Sequence, residues 1–447
     1  MSGIRLSRVC AAIGALLYFG LLAYWAPKLS YDTATAGFVA LLVIVAAIGA
    51  GCLVSIAMSH RWRVGIVLVA VWLGVLVYSA EAILVVTFLT RPMPDQANDG
   101  IWDDRSLHKV VGDLRASGTL AVPDISSGQL SAYASSHRPT PKNMWFLGGI
   151  ALHTTVLCNE YGAWVVHETD QHGFTNPRDI WLAEEIDVAI LGDSQMKGYC
   201  VPAARGTAAV VRGEVPATIS LGNGSIGPLR MLAILKEFLP ALHPKHVFWV
   251  YYEGNDHTNL TAELDSPLLR QYLQSGFTQG IEPEKELIDD VLLDYVDEWL
   301  NTPRAESPTR ANIIYRLTNL IHLARLRRYL DVLPPEPFET VAMSRILEEA
   351  RSVVVAWGGT LTFVYLPAVS RYGPWAGLAG NNARIQAWVT AIAEEKGLPI
   401  VDLHARFEQM ERPERLYNGH LSTAGHRAVG EAIIEAIRER NREATSH

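Results

Sequence analysis

The stretch DVAILGDS, residues 187–194, decides the fold of this 447-residue chain. Its apolar centre is typical of a short buried β-strand, and glycine and aspartate then end the strand in a turn. Similar apolar runs alternate with helical patterns through the rest of the chain. The other predicted strands are 217–221, 246–252, 361–366 and 398–402, and the predicted helices are 228–239, 339–357, 381–396 and 423–440.

Apolar strands separated by helices predict an α/β domain with a mainly parallel sheet covered on both faces. In such sheets ligands bind beyond the carboxyl ends of the strands. Ser194 follows the first predicted strand, the glycine-rich run 222–227 follows the second, and Asn255 follows the third. His420 lies just before the last predicted helix. We expect these polar residues to meet at one edge of the sheet.

A serine and a histidine at one sheet edge favour nucleophilic catalysis. A serine hydroxyl is a poor nucleophile until an imidazole takes its proton, so Ser194 would need His420 as its base. The negative oxygen that develops on the substrate needs preorganised hydrogen-bond donors. The candidate donors are the backbone N–H of Ser194, a backbone N–H of Gly224 or Ser225, and the side-chain amide of Asn255.

Each of these residues also has an ordinary structural interpretation. Ser194 could cap a helix, Asn255 could form a turn, and His420 could be an unreactive loop histidine. Two nearby residues, Asp193 and His426, are interpreted as structural, His426 because it would cap or pack the final helix. The ordered combination at the strand ends is what favours a catalytic site.

Composition excludes several classes of protein. The net charge is −8, charged residues make up 19% of the chain, and mean hydropathy is +0.13. These values exclude a disordered chain, a collagen and a basic nucleic-acid binder, and we expect no nucleic-acid partner. Four cysteines without paired metal-ligand spacing do not indicate a zinc site, and no metal or other cofactor is expected.

The apolar sequence is concentrated in residues 1–91. The runs 9–26, 33–59 and 64–90 are each long enough to cross a bilayer and predict three transmembrane helices. A cleavable signal peptide ending near residues 34–36 is the alternative for the first run. Glu81 is the one charge in the third run, and we interpret it as an interfacial or hydrogen-bonded carboxylate rather than a functional one.

Basic residues predict the orientation of these helices. Arg5 and Arg8 precede the first run, and Arg61 and Arg63 precede the third, so the N-terminus should be cytoplasmic. Three spans then place the rest of the chain outside. We predict a linker at 92–106 and an outer domain at 107–447, with a helical insertion at about 266–335. Within it the basic amphipathic segment 312–333 is expected to cover the domain's own core rather than a membrane surface.

The strand-end motifs resemble those of the SGNH, or GDSL-type, hydrolase superfamily. Residues 192–194 (GDS) resemble its first block, residues 254–256 (GND) its third, and His420 the histidine of its last block. Residues 158–160, 172–177 and 199–201 resemble membrane-anchored bacterial members that are associated with envelope polysaccharides.

This resemblance implies a flavodoxin-like parallel-sheet domain held at the inner membrane by a multi-pass anchor, with the domain in the periplasm. It also implies a serine esterase or acyltransferase that acts on acyl esters, with acetyl as the expected group. The implied partners are an acylated carbohydrate or lipid-linked glycan, membrane lipid, and envelope polysaccharide assembly proteins. The alternative is a non-catalytic glycan-binding or scaffold component of such an assembly system.

Two positions depart from the superfamily pattern. Tyr417 stands three residues before His420, where the superfamily usually has the aspartate that orients the histidine. Tyr417 itself is one candidate to orient His420, Asp402 is a second by position alone, and a backbone carbonyl is a third. Ser225 replaces the usual glycine of the second block, but any non-proline residue there still carries a backbone N–H. The resemblance and an outer location also predict a disulfide between Cys158 and Cys200.

Overall fold

A computed structural model gives the structure of the chain. It describes residues 2–30, 36–89, 103–126, 128–131, 133, 144–302, 318–320, 323–329, 338–372 and 380–445. Residues 92–102 of the predicted linker and residues 34 and 35 of the possible cleavage site lie outside the described residues.

The chain divides into two compact units. The first comprises Met1–Pro92, Ser307–Phe338 and Pro374–Arg384, and the second comprises Met93–Glu306, Glu339–Gly373 and Ile385–His447. The sequence assigned the whole helical insertion to the outer domain. Within that insertion, the described residues 318–320 and 323–329 group with the N-terminal helices in the first unit.

The helices and strands are numbered here in chain order. The described helices are α1 Ser2–Trp25, α2 Ala36–Ala57, α3 His60–Leu89, α4 Leu107–Ala116, α5 Ser194–Lys197, α6 Thr207–Arg212, α7 Pro228–Phe238, α8 Asp256–Glu263, α9 Pro267–Gln271, α10 Lys285–Asn301, α11 Ala324–Tyr329, α12 Thr340–Ala356, α13 Gly380–Glu395, α14 Leu403–Phe407 and α15 Thr423–Thr445. The strands are β1 Ala121–Pro123, β2 Thr154–Cys158, β3 Val165–Glu168, β4 Val188–Gly192, β5 Thr218–Gly222, β6 His246–Tyr252, β7 Thr360–Leu366, β8 Ile400–Asp402, β9 Tyr417–Asn418 and β10 His420–Leu421.

The first unit contains the apolar N-terminal helices. Among the described residues, two segments are long and apolar enough to cross a membrane, Ala11–Ser30 and Ala36–Ala57. Helix α3 is 30 residues long, but its described apolar stretch is shorter, Val75–Val85. The count of three spans is therefore not established by these helices.

Glu81 is buried within the first unit and has hydrogen-bond partners there. Its carboxylate accepts the backbone N–H groups of Arg325 and Leu326 at 3.0 and 2.6 Å, where α11 begins. A buried carboxylate is costly unless hydrogen-bonded, and the first turn of a helix offers N–H groups that lack partners. Glu81 thus has a structural role in joining α3 to α11.

The second unit is built on a five-stranded parallel sheet in the order β5-β4-β6-β7-β8. Counted along the chain within this sheet, the order is 2-1-3-4-5, which is the flavodoxin-like arrangement. Every residue of β4 and β5 is buried, as expected for a parallel sheet covered on both faces. The prediction of an α/β domain with a parallel sheet is confirmed.

The sequence also predicted where the main elements lie. Strand β6 has the predicted bounds, β4 and β5 are each shifted by one residue, and β7 begins one residue earlier than predicted. Helix α7 begins at Pro228, because proline has no N–H to satisfy and its fixed φ suits a first turn. Apolar runs bounded by such signals are local properties of a sequence, which explains why they could be read from it.

A smaller sheet was not predicted. Its strands β1, β2 and β3 are three to five residues long, with β1 and β2 parallel and β2 and β3 antiparallel. Strands this short show no clear apolar run. The sheet matters because β2 leads directly into Cys158 and the residues that follow it. A two-stranded hairpin, β9–β10, carries His420 on its second strand.

A substitution at Gly222, the last residue of β5, tests how closely α5 packs on the sheet. A Cβ atom there would overlap the backbone of Met196 and Lys197. We expect Gly222→Ala to lower the free energy of unfolding by about 3 kcal/mol, since backbone atoms cannot move aside. Gly112→Ala in α4 is the control, because its Cβ would meet no atom within 4 Å, and helical alanine should stabilise by about 0.5–1 kcal/mol. Thermal unfolding measures both, and equal melting temperatures for the two variants would contradict this packing.

Candidate active site

Ser194 lies where the chain turns from β4 into α5. Asp193 is the residue before the helix, and its carboxylate accepts the backbone N–H of Gln195 at 2.9 Å. This cap satisfies one of the free N–H groups of the first turn. Ser194 itself is half-buried, with its hydroxyl at the carboxyl edge of the sheet. The strand and the cap together fix the serine, and the cap belongs to Asp193 rather than to Ser194.

His420 reaches Ser194 from the C-terminal hairpin. Its Nε2 lies 3.1 Å from the Ser194 Oγ. The hairpin is fastened to α5, because the backbone N–H of Leu421 donates to the Gln195 side chain at 2.8 Å. The structure therefore brings together the serine and the histidine that the sequence paired, at the distance a general base requires.

Glu160 completes the group, and sequence reasoning missed it. Its Oε1 lies 2.8 Å from His420 Nδ1, and its Oε2 accepts the His420 backbone N–H at 3.3 Å. With Nδ1 bonded to the carboxylate, Nε2 is left to accept the serine proton. The one available signal was its place in the motif at 158–160, beside a cysteine expected to be cross-linked.

Neither of the residues considered for orienting His420 does so. Tyr417 is buried in the apolar core, and its hydroxyl donates to the backbone carbonyl of Pro367. Asp402 caps α14 by accepting the His404 N–H at 2.8 Å, and it accepts a second bond from Gln386. Both suggestions were wrong, because spacing along the chain could not identify a carboxylate that follows a strand of a separate sheet.

The predicted disulfide between Cys158 and Cys200 is confirmed. Cys158 ends β2, two residues before Glu160, and Cys200 follows α5, six residues after Ser194. The cross-link thus joins the segment that carries the acid to the segment that carries the serine. A disulfide typically adds about 2–4 kcal/mol of stability.

The donors for a substrate oxygen are only partly those expected. The N–H of Gly224 donates to the Asn223 side-chain oxygen at 2.8 Å, so Gly224 is not free to serve as a donor. Ser225 is exposed with φ of +56°, and its N–H has no partner among the described residues. Asn255 is half-buried, with its side chain hydrogen-bonded to the Asp193 carboxyl group. Ser225, Asn255 and the Ser194 N–H remain as candidate donors.

A buried ion pair lies beside the glycine-rich loop. The Lys197 ammonium bonds the Asp124 carboxylate and lies 3.5 Å from the Asn223 side-chain oxygen. Asn223 in turn donates to the backbone carbonyl of Leu147 at 2.8 Å. Sequence reasoning did not single out Asp124, which follows the unpredicted strand β1.

The buried carboxyl groups Asp193 and Asp256 lie behind the serine. Burial raises the pKa of each, and the charge of Asp193 raises the pKa of Asp256 further. The Tyr252 backbone N–H donates to one Asp256 oxygen at 2.8 Å, while the other oxygen is buried without a partner in the described structure. Asp256 is therefore the better candidate to keep a proton at neutral pH. Asp193, which accepts the Gln195 N–H as the helix cap, is the better candidate to be ionised.

Two further observations concern the residues around the site. His426 is fully buried, and its Nδ1 lies 2.9 Å from the Thr207 hydroxyl, a packing position. In the described part of the chain, Glu160, Cys200 and His420 each bring one potential metal-ligand atom within 4.8 Å of the others. The Cys200 sulfur is held in the disulfide, so this trio offers a metal only the carboxylate and the imidazole.

The substitution Asp256→Asn tests whether Asp256 is protonated. A carboxyl group with a raised native pKa costs stability as pH rises above the ordinary value of about 3.9, because the unfolded chain loses the proton first. Asparagine has no such cost. As pH rises from about 3.9 to the native pKa of Asp256, the free energy of unfolding of the variant should therefore increase relative to that of the wild type by about 1.4 kcal/mol per pH unit. Melting temperatures at pH 5 and pH 7 measure this gain. A difference between the two proteins that does not vary with pH would contradict a protonated Asp256.

Comparisons with known proteins gave structural matches only. No protein-family model matches the sequence, and no curated protein matches it. A lipase/acylhydrolase from Enterococcus faecalis is 14% identical, with a TM-score of 0.32, over 57% of this chain and 96% of that one. An esterase from Pseudoalteromonas is 10% identical, with a TM-score of 0.29, over 58% of this chain and 100% of that one.

A GDSL-like lipase from Bacteroides thetaiotaomicron is 15% identical, with a TM-score of 0.29, over 57% of this chain and 88% of that one. The structure itself supplies two features that the motif resemblance implied: the 2-1-3-4-5 order of the parallel sheet and the serine that follows its first strand. In these features, the chain resembles the SGNH, or GDSL-type, hydrolases.

Proposed function

We propose that this chain is a serine ester hydrolase or O-acyltransferase that uses Glu160, His420 and Ser194. One observation carries the proposal: His420 is hydrogen-bonded at both ring nitrogens, with a carboxylate on one side and the serine hydroxyl on the other. The three residues come from separate parts of the chain, so local turn or cap chemistry does not account for their meeting.

The first half-reaction forms an acyl-serine. As the Ser194 Oγ bonds to the ester carbonyl carbon, His420 Nε2 takes the hydroxyl proton. The carbonyl oxygen becomes negative and is stabilised by the Ser194 N–H with the Ser225 N–H or the Asn255 amide. When the carbon–oxygen bond to the alcohol breaks, His420 returns its proton to the departing oxygen.

The second half-reaction regenerates the serine. Water or an acceptor hydroxyl loses a proton to His420 as its oxygen bonds to the acyl carbon, and the Ser194 oxygen then leaves with the proton from His420. Water as the nucleophile gives hydrolysis, and a sugar hydroxyl gives transfer. Both reactions use the same three residues, so the choice depends on which hydroxyl occupies the site.

Glu160 has an orienting role in both half-reactions. It bonds Nδ1–H and the His420 backbone N–H, which holds the ring and stabilises the imidazolium that forms twice per cycle. In serine hydrolases where the orienting carboxylate has been removed, turnover falls about 10⁴-fold.

The substrate we propose is an acyl ester, with acetyl as the expected group, of an envelope carbohydrate or lipid-linked glycan. Support comes from the motif resemblance and from the apolar N-terminal helices, which suit a protein anchored by multiple passes in the inner membrane with its catalytic domain in the periplasm. Membrane lipid and polysaccharide assembly proteins are the proposed partners. The non-catalytic alternative was based on the absence of an acid at position 417. Glu160 provides a carboxylate at His420 instead, which removes that reason for favouring the alternative.

The proposal is tested with the full chain in detergent and p-nitrophenyl acetate as substrate. Ser194→Ala and His420→Ala should reduce turnover to background, and Glu160→Gln should lower kcat by about 10⁴-fold. The matched control is Glu168→Gln, an exposed acid paired with Arg178, which should leave kcat unchanged. A fluorophosphonate should label the wild type but not Ser194→Ala.

Equal background rates and no fluorophosphonate labelling in all proteins would overturn the catalytic proposal. A Glu160→Gln variant as active as the wild type would overturn the role of Glu160 alone, provided that Ser194→Ala and His420→Ala are inactive.

The three-span topology is tested with alkaline phosphatase, which is active only outside the cytoplasm. With three spans and a cytoplasmic N-terminus, a fusion after residue 92 should be active and a fusion after residue 59 inactive. Green fluorescent protein at the same positions should give the opposite pattern. An inactive phosphatase after residue 92 would mean that only two helices cross and would contradict the proposed orientation.

A further inference from the structure

Asp124 is fixed by its backbone to β2 and by its side chain to the helix that begins at Ser194. It follows β1, and its backbone N–H donates to the Val156 carbonyl of β2 at 2.9 Å. Its Oδ1 is bonded by the ammonium of Lys197, the last residue of the helix that Ser194 begins. The side chains of Lys197 and Asp124 are only 5% and 11% exposed, so this is an ion pair inside the domain.

The second oxygen of Asp124 has no partner. Among the described residues, no hydrogen bond reaches Oδ2, although the atom is not sealed from solvent. It faces the glycine-rich loop: a Cβ on Gly224 would stand 3.9 Å from it, and nothing else would lie within 4 Å of that Cβ. A charged oxygen in a nearly buried place is costly unless a donor approaches it. The space above Gly224 leaves room for one.

Tyr199 lies beside the catalytic histidine. The Tyr199 and His420 rings lie with their centroids 4.7 Å apart. The nearest partner of the Tyr199 hydroxyl is the Leu157 carbonyl at 3.4 Å, a long contact. The Tyr199 ring thus extends the wall of the site from His420 to β2, the strand next to β1, which Asp124 follows.

We propose that Asp124 Oδ2 accepts a hydrogen bond from a free hydroxyl on the alcohol part of the ester, next to the acylated oxygen, with the alcohol lying along Tyr199. His420 must reach the ester oxygen of that alcohol to protonate it, so the alcohol lies on the His420 side of the site. The site then selects polyhydroxylated alcohols such as sugars over simple ones. This inference deepens the proposed function and rests on it.

Lys197 has a definite part in this selection. Its ammonium takes Oδ1 and keeps the carboxylate in one orientation, so that Oδ2 points to the loop. An ionised acceptor makes a stronger hydrogen bond to a hydroxyl than a neutral one. A site built to bond a substrate hydroxyl also discriminates against the analogue that lacks it, because its polar group is then left unpaired.

The experiment uses the full chain in detergent with three esters. These are a mono-O-acetyl methyl glucoside, the same ester with the neighbouring hydroxyl replaced by hydrogen, and p-nitrophenyl acetate. The wild type should prefer the first over the deoxy ester in kcat/KM by about tenfold to a hundredfold, the range for a hydrogen bond to a charged group. Asp124→Asn should lower that preference several-fold, because asparagine keeps its oxygen for Lys197 and offers the hydroxyl a neutral N–H in place of an ionised acceptor.

The two sugar esters are compared on the same protein, so partial loss of folding cancels. Glu168→Gln is the matched control and should keep the wild-type preference. The inference is overturned if the wild type shows no preference for the hydroxylated ester, or if Asp124→Asn slows all three esters equally, which a purely structural ion pair would do. If p-nitrophenyl acetate and both sugar esters turn over only at the Ser194→Ala rate, the proposed function fails, and this inference fails with it.

Discussion

The hydrogen bond between Glu160 and His420 is the constraint on which the rest of the site depends. An imidazole on a two-stranded hairpin could rotate freely, but here one carboxylate binds both its Nδ1 and its backbone N–H. The ring is then left with a single productive contact, from Nε2 to the serine. Residues 160 and 420 are separated by 260 positions, so this one interaction requires the small sheet and the C-terminal hairpin to be in place together.

Several other features of the second unit serve this contact. The disulfide joins the end of β2 to the segment after α5, which fixes the position of the backbone that carries Glu160. Gly419 turns the hairpin with φ of +79°, and a Cβ there would stand 3.0 Å from the Glu160 carboxylate. Glycine is therefore needed at this position both for the turn and for the approach of the acid. Covalent, conformational and electrostatic restraints converge on one pair of side chains.

The contrast between Ser194 and Glu160 explains what the sequence could predict. Ser194 follows an apolar run and precedes a helix, so its position was a local property of the sequence, and β4 could be placed within one residue. Glu160 follows a five-residue strand of a separate sheet, and only folding brings it to His420.

The position of the acid also accounts for Tyr417. This residue is 3% exposed, and its ring lies among Phe407, Tyr372 and the rest of the apolar core. An aspartate at 417 would leave a charge in that core unless it reached His420, and it would leave the Pro367 carbonyl without its donor. With Glu160 approaching from the other sheet, the hairpin needs no acid of its own, and position 417 is free to pack. The acid of this site therefore comes from the segment after β2, and the hairpin supplies only the imidazole that contacts the serine.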